Sequence, residues 1–259
     1  VDLPRKTAFE ILARFEKGSV RSLQSRIKAD TLIQDVLAAK THALSETDRA
    51  FVYALTMSVL RHWLRLDEWI QALAARPLRQ IEPPVRVLLR MGLFQLYGMT
   101  HVPDYAAIDT TVELAKDLSL SSVRTVKFVN AILREGQRAL ESGRLESPLA
   151  AQDLAKHLLM AYSWPEAWVA SLRRQYDGPT VLSMAQVAQA PAPMTLRVNT
   201  LRIEPAAYLA QLTESGWLAH LSSPDMPESF WIEGFSGSPR SLPGYEAGLF
   251  YVQDPSSVW

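Results

Sequence analysis

Val85-Arg-Val-Leu-Leu-Arg-Met-Gly-Leu-Phe-Gln-Leu96 decides the reading of the first half of the chain. Its apolar positions Val85, Leu88, Leu89, Gly92, Leu93 and Leu96 follow the three-and-four spacing that lines one face of an α-helix. Extended to Met99, this is the most apolar stretch of the sequence. Arg86 and Arg90 interrupt it, and it is too short to cross a bilayer, so no membrane insertion is expected. Toward the N-terminus, Ala8, Ile11, Leu12 and Phe15 keep the same period, and helical spacing runs from Leu3 to about Ala139. The start signals agree. Pro4 suits a first helical turn, Ser45-Glu-Thr-Asp48 reads as a capping box, and Pro83-Pro84 and Pro103 each precede a fresh periodic run. About seven helices are predicted here.

Downstream the texture changes twice. Gly143 to Pro148 is a polar break, which predicts a boundary between a helical domain over residues 1–145 and a second domain over 146–259. The second domain opens with a short helical region holding the rigid turn Ser163-Trp-Pro165. Beyond Ala190, Met194-Thr-Leu-Arg-Val-Asn-Thr200 alternates as a strand does, and Pro205 opens a helix that Gly216 closes. Trp217 to Leu221, Phe230 to Glu233 and Leu249 to Gln253 read as further strands, the last after a Gly/Pro-rich loop. The order β-α-β-β predicts a small sheet covered by helices, a shape that many RNA-binding modules share.

Composition narrows the chemistry. The chain has no cysteine, which excludes disulfides, thiolate metal sites and a cysteine nucleophile, and its five histidines lack ligand spacing. The N-terminus lacks the apolar core of a secretion signal, so a reducing cytoplasm is expected. The sequence begins at Val1 and stops on the apolar run Leu249 to Trp259, and both ends read as cuts in a longer protein. Net charge is zero, yet residues 1–145 hold 21 Lys/Arg against 16 Asp/Glu, while 146–259 hold 6 against 11. No G-x-G-x-x-G after a strand, P-loop, H-E-x-x-H or G-x-S-x-G occurs. Gly234-Phe-Ser-Gly237 carries the glycine pair of a nucleic-acid clamp loop, but outside a helix-loop-helix such a pair reads as an ordinary turn.

Three groups of residues are candidates for ligand contact. Arg5, Lys6, Arg14, Lys17, Arg21, Arg26 and Lys28 crowd the N-terminal helices and suit phosphates. About four such contacts on a single strand would give a log–log salt slope near −3. Glu10, Glu16 and Asp30 dilute the charge, and a plain solvated face fits the pattern equally well. In Ser58-Val-Leu-Arg-His-Trp-Leu-Arg65, Arg61 and Arg65 stand one turn apart beside Trp63, a phosphate grip next to a stacking surface. Core packing accounts better for Trp63, and His62 reads as a satisfied residue. In Thr195-Leu-Arg-Val-Asn199, alternation puts Arg197 and Asn199 on one face, where a fork for phosphate and an amide for a base edge compete with simple solvent exposure. Asn130 and Gln95 fall among apolar neighbours and are expected to make structural hydrogen bonds.

Four pieces acquire meaning together: Leu89-Arg-Met-Gly-Leu-Phe-Gln-Leu96, Phe128-Val-Asn-Ala-Ile-Leu-Arg134, Leu196-Arg-Val-Asn-Thr-Leu201 and Val252-Gln-Asp-Pro-Ser-Ser257. In this order and spacing they resemble the bacterial RNA (cytosine-5) methyltransferases acting on small-subunit ribosomal RNA, the Sun or Fmu proteins. The first two pieces resemble the NusB-type antitermination fold. The resemblance implies a mainly α chain, with a NusB-like helical domain followed by a small α+β subdomain of RRM/ferredoxin-like type and the Rossmann-type catalytic domain absent. It implies S-adenosyl-L-methionine (SAM) and a catalytic cysteine for the parent protein, both beyond the segment matched by Val252 to Ser257, and neither a cofactor site nor a catalytic or metal-binding residue here. Gln253, Asp254 and Ser256 become the lead-in to that domain.

With the resemblance, RNA contacts are expected at Arg5, Lys6, Arg21, Arg26, Arg61, Arg197 and Asn199, with 16S rRNA as partner. The competing expectation is a stand-alone NusB-like factor that binds a protein, because a net +5 over 145 residues is modest for a dedicated nucleic-acid binder. A small-molecule site in the second domain has no supporting constellation.

Overall fold

The computed structural model describes residues 2–21, 29–40, 42–118, 122–190, 192–235 and 237–257, and its contacts divide the chain into two compact units, Val1–Gln189 and Ala190–Trp259. Among the described residues the first unit is helical throughout: α1 (Leu3–Arg21), α2 (Ala29–Ala39), α3 (Glu46–Arg61), α4 (Trp63–Ala74), α5 (Pro83–Gly98), α6 (Asp104–Asp117), α7 (Val123–Glu141), α8 (Leu154–Tyr162), α9 (Glu166–Leu172) and α10 (Gly178–Gln189). No helix is long and apolar enough to cross a membrane among these residues.

Local chemistry starts these helices where the sequence says it should. Ser45 Oγ accepts from the Asp48 amide at 3.1 Å while the Asp48 carboxylate accepts from the Ser45 amide at 3.2 Å, closing the capping box of α3. Pro83 and Pro84 occupy the first turn of α5, where a missing N–H costs nothing. α5 is the central helix: ten of its residues are buried, and it packs against α1, α3, α4, α6 and α7. Glycines permit the tightest of these contacts. A Cβ on Gly92 would lie 2.6 Å from Leu133 Cδ2, and one on Gly136 would collide with Leu93.

The polar break at 143–148 does not end the first unit. α8 continues the packing onto α4, and the turn after α8 reaches back to cap it: Ser163, in the left-handed conformation at φ 60°, presents its Oγ to the amides of Leu64 at 3.0 Å and Arg65 at 3.1 Å. Trp69 Nε1 donates to the Leu145 carbonyl at 3.1 Å, and Lys156 pairs with Glu68. Residues 146–189 are thus tied to the helical unit through the start and middle of α4, a relationship that no local break signal in the sequence records.

The second unit is a four-stranded antiparallel sheet in the order β2-β3-β1-β4, with β1 (Met194–Val198), β2 (Ala219–Leu221), β3 (Ser229–Ile232) and β4 (Phe250–Val252), and one helix, α11 (Pro205–Glu214). β1 is central, pairing Leu196 with Phe230 on one side and Val252 on the other. Leu196, Val198, Phe230, Ile232 and Phe250 pack with Tyr208 and Leu212 of α11 in one core. The mainly α first unit and the small α+β second unit are the fold class that the sequence leads one to expect. Gly234 follows β3 in a turn at φ 62°.

Candidate nucleic-acid interface

The cations of the helical unit differ in what holds them: some pair with carboxylates, some pack on aromatic rings and some stand open. Arg5 is held by a carboxylate: its side chain is 12% exposed, pairs with Asp2, donates from Nε to Gln95 Oε1 at 2.6 Å, and lies 4.9 Å over the Phe51 ring. Lys6 is bound to Asp117 at 2.7 Å, and this contact raises its pKa above the ordinary lysine value. Gln95, buried in α5, uses its amide nitrogen on the Met91 carbonyl at 3.1 Å, so both ends of the amide are satisfied. Asn130 accepts from Arg134 at 3.2 Å along its own helix instead of bridging to a neighbour, because it is only half-buried.

Arg14, Lys17 and Arg61 are exposed and form no ion pair among the described residues. Arg21 ends α1 with its side chain outside the described residues, where Arg26 and Lys28 also lie. The aromatic beside Arg61 is not free for stacking. Trp63 is half-buried, with the Arg90 guanidinium 3.8 Å over its ring. His62 stacks on Phe94 at 5.4 Å, and burial, reinforced by Arg65 and Arg61, pushes its pKa down to about 4. Arg65, 5% exposed, donates to the Tyr97 hydroxyl at 2.6 Å and lies over the Trp69 and Tyr97 rings.

In the second unit, the two candidates differ in their hydrogen bonding. Arg197 stands in β1 with a side chain 44% exposed and only Glu228 near it, at 4.0 Å. Its registered neighbour Tyr251 on β4 is 58% exposed, and His220 stacks on Trp231 with ring centroids 4.3 Å apart. Asn199 is a brace: its amide donates to the Gly248 carbonyl at 3.0 Å, and its Oδ1 accepts from the Leu201 amide at 3.3 Å. It fastens the end of β1 to the loop before β4. Asp254 accepts from the Ser256 amide at 2.8 Å and hydroxyl at 2.7 Å, which holds its carboxyl below the usual range, and Gln253 donates to the Ser257 carbonyl at 3.0 Å. The stacked pair His220 and Trp231 and the exposed Tyr251 escaped the sequence reading, because single aromatics on three short strands show no pattern until pairing sets the register.

Among the described residues the sheet is antiparallel throughout and forms no parallel βαβ crevice with a glycine-rich turn at a helix N-terminus.

Comparison with known proteins agrees with this architecture. Residues 2–138 match the NusB family, and residues 164–235 match the ferredoxin-like domain of RsmF/B-like methyltransferases. A protein of Synechocystis sp. named probable ribosomal RNA small subunit methyltransferase B is 34% identical over 227 residues, covering 86% of this chain and 48% of that protein. The ribosomal RNA small subunit methyltransferase B of Cronobacter sakazakii is 26% identical over 245 residues, covering 92% and 52%, and that of Escherichia coli O1:K1 is 28% identical over 248 residues, with the same shares. The chain spans about half the length of the curated relatives it matches. In fold it resembles the crystal structure of PH0851, with a TM-score of 0.59 at 16% identity, over 98% of this chain and 54% of that one. The chain belongs to the NusB family and carries, behind its NusB domain, the ferredoxin-like domain of the RsmF/B-type RNA methyltransferases.

Proposed function

We propose that this chain is the RNA-holding portion of a SAM-dependent small-subunit rRNA (cytosine-5) methyltransferase and positions 16S rRNA for catalysis carried elsewhere in the parent protein. The observation that carries the reading is the tandem of a NusB domain and an RsmF/B ferredoxin-like domain in one chain. Open cations on α1 and α3 and the exposed Arg197 beside Tyr251 supply what an RNA backbone and an unstacked base need. Domains over 1–145 and 146–259 correspond in this reading to an RNA-binding front and an RNA-presenting bridge with its sheet, acting in the cytoplasm. The test is fluorescence anisotropy of labelled 16S rRNA fragments against the purified chain over a salt series. Binding that weakens steeply with salt, and that Arg14→Gln/Lys17→Gln or Arg197→Gln reduces, is the expected result; affinity insensitive to both would overturn the site assignment.

A second reading, a NusB-like module that binds a protein, draws on one observation: the cations at the very start of α1 are already matched by Asp2 and Asp117. A defined protein partner that co-purifies after nuclease treatment, with no measurable RNA affinity, favours it.

A further inference from the structure

The strongest unclaimed feature of the helical unit is a cleft of about 260 Å³ lined by Arg76, Gln80 and Glu82 ahead of α5, Val85 in its first turn, and Arg124, Thr125 and Phe128 of α7. Its electrostatics follow from the helix arrangement. Gly92 meets Leu133 and Leu93 meets Gly136, while Val85 and Phe128 line the same cleft; contacts therefore advance in the same direction along α5 and α7. The two helices run parallel, and their positive ends converge on the cleft.

Arg76 and Arg124 form no ion pair among the described residues, in contrast to Arg86 and Arg90 one and two turns further along α5, both of which pair with Glu16. The Arg76 guanidinium lies 4.0 Å over the Phe128 ring, and its Nε is buried with no hydrogen-bond partner. Arg124 sits in the first turn of α7, a turn without an acidic residue, where a cation opposes the helix dipole. Glu82, exposed at the N-cap of α5, is the one carboxylate that lines the cleft. Two arginines in the lining, an unused N–H donor and two helix starts make a site short of negative charge.

We propose that this cleft is a phosphate subsite for RNA, with Arg76 and Arg124 gripping one backbone phosphate. The subsite rests on the RNA-holding reading above and adds to it a place on the α5/α7 end of the unit, away from the α1 residues that the sequence singles out. Arg76 is pre-oriented by Phe128, so little side-chain freedom is lost when its fork closes on the anion. Arg124 needs an anion to relieve its own placement. Gln80 and the hydroxyl of Thr125 complete the polar lining.

The experiment compares the full chain, Arg76→Gln/Arg124→Gln, and the charge-matched control Arg138→Gln/Arg144→Gln at the other end of α7. Binding of a single-stranded RNA oligonucleotide is measured over a salt series, and inorganic phosphate is titrated by amide NMR. Expected results are a loss of about tenfold in RNA affinity for the cleft variant, a log–log salt slope shallower by about 0.7, and saturable phosphate shifts at Val85 and Thr125 that the variant abolishes. The control should stay near the wild type. Equal losses in both double variants would reduce the cleft to bulk charge and overturn the subsite while leaving RNA binding intact. An unmodified chain with no RNA affinity would overturn the RNA-holding reading itself, and phosphate binding in that case would point to a phosphorylated protein ligand instead. Should Arg76→Gln unfold the chain, Arg124→Gln alone, at an exposed position, carries the same comparison.

Discussion

Arg90 Nη1 donates to Glu16 Oε2 at 2.7 Å, joining the centre of α5 to α1 although only 1% of Arg90 reaches solvent. The guanidinium also donates from Nε to Asp67 at 2.6 Å and covers the Trp63 ring, and Arg86 reaches the other oxygen of Glu16 at 2.5 Å. Three helices, α1, α4 (through both Asp67 and Trp63) and α5, are pinned to one buried charge cluster. Burial raises the Asp67 pKa while its contact with Arg90 works against the shift.

Breaking this cluster from one side leaves buried charge unmatched. Arg90→Ala is expected to cost about 3–5 kcal/mol, read as a drop in the urea midpoint. Replacing Arg90 by Met together with Glu16 by Gln should cost less than the sum of the single changes, and additivity in that cycle would show that the two groups do not interact.

Gly92→Ala tests the α5/α7 contact. Alanine gains up to about 1 kcal/mol in helix propensity, but its Cβ would stand 2.6 Å from Leu133 Cδ2 in a packed core. Overpacking of about 1–3 kcal/mol should win, giving a lower Tm that Leu133→Val partly restores. A raised Tm for the single variant would mean that Leu133 moves aside at no cost.

His62 gives the helical unit an acid-sensitive term. Its folded pKa of about 4 lies below the ordinary 6.5, so between those values the unfolded chain binds the proton more readily. Stability from this group is complete above about pH 6.5 and falls as the pH drops toward 4. Arg61 and Arg65 face it and sharpen the loss. In urea melts across that window, His62→Gln should flatten the pH dependence; an unchanged slope would place the acid sensitivity elsewhere.

Arg197 in β1 and Asn199 just past its end have different expected phenotypes. Asn199→Ala removes the hydrogen bond to Gly248 and should destabilise the second unit by about 1 kcal/mol. Arg197→Gln should leave the melt unchanged and weaken RNA binding, because the side chain is open and its one carboxylate neighbour lies at 4.0 Å. The reverse pattern, a stable Asn199→Ala with lost RNA affinity, would assign the amide to the ligand.

The sequence by itself determined the local elements. Seven helices over the first 141 residues, the capping box at Ser45, the prolines that open α5, and a β-α-β-β order with a last strand near Phe250 all follow from periodicity and end signals, which depend on neighbours in the chain. Strand limits shifted by one to two residues, as at Trp217 and Thr200, which lie outside β2 and β1, because pairing partners set where a ladder stops. The four ordered pieces also identified the family correctly, since short motifs survive in sequence where contacts do not.

Tertiary structure decided what each charge is for. Arg5, Lys6, Arg14 and Lys17 look alike in sequence, yet the first two are spent on Asp2 and Asp117 and the last two stand open, because a carboxylate up to 111 positions away either arrives or does not. Arg76 and Arg124 are separated by 48 positions and carry no shared motif; packing of the connection between α4 and α5 beside the start of α7 brings them to one cleft. The reach of the helical unit to Gln189 has the same origin, since it is Ser163 capping α4 across nearly a hundred residues that holds α8 in place. Periodicity is a property of the chain, whereas charge pairing is a property of the packed surface, and only folding decides which carboxylate meets which cation.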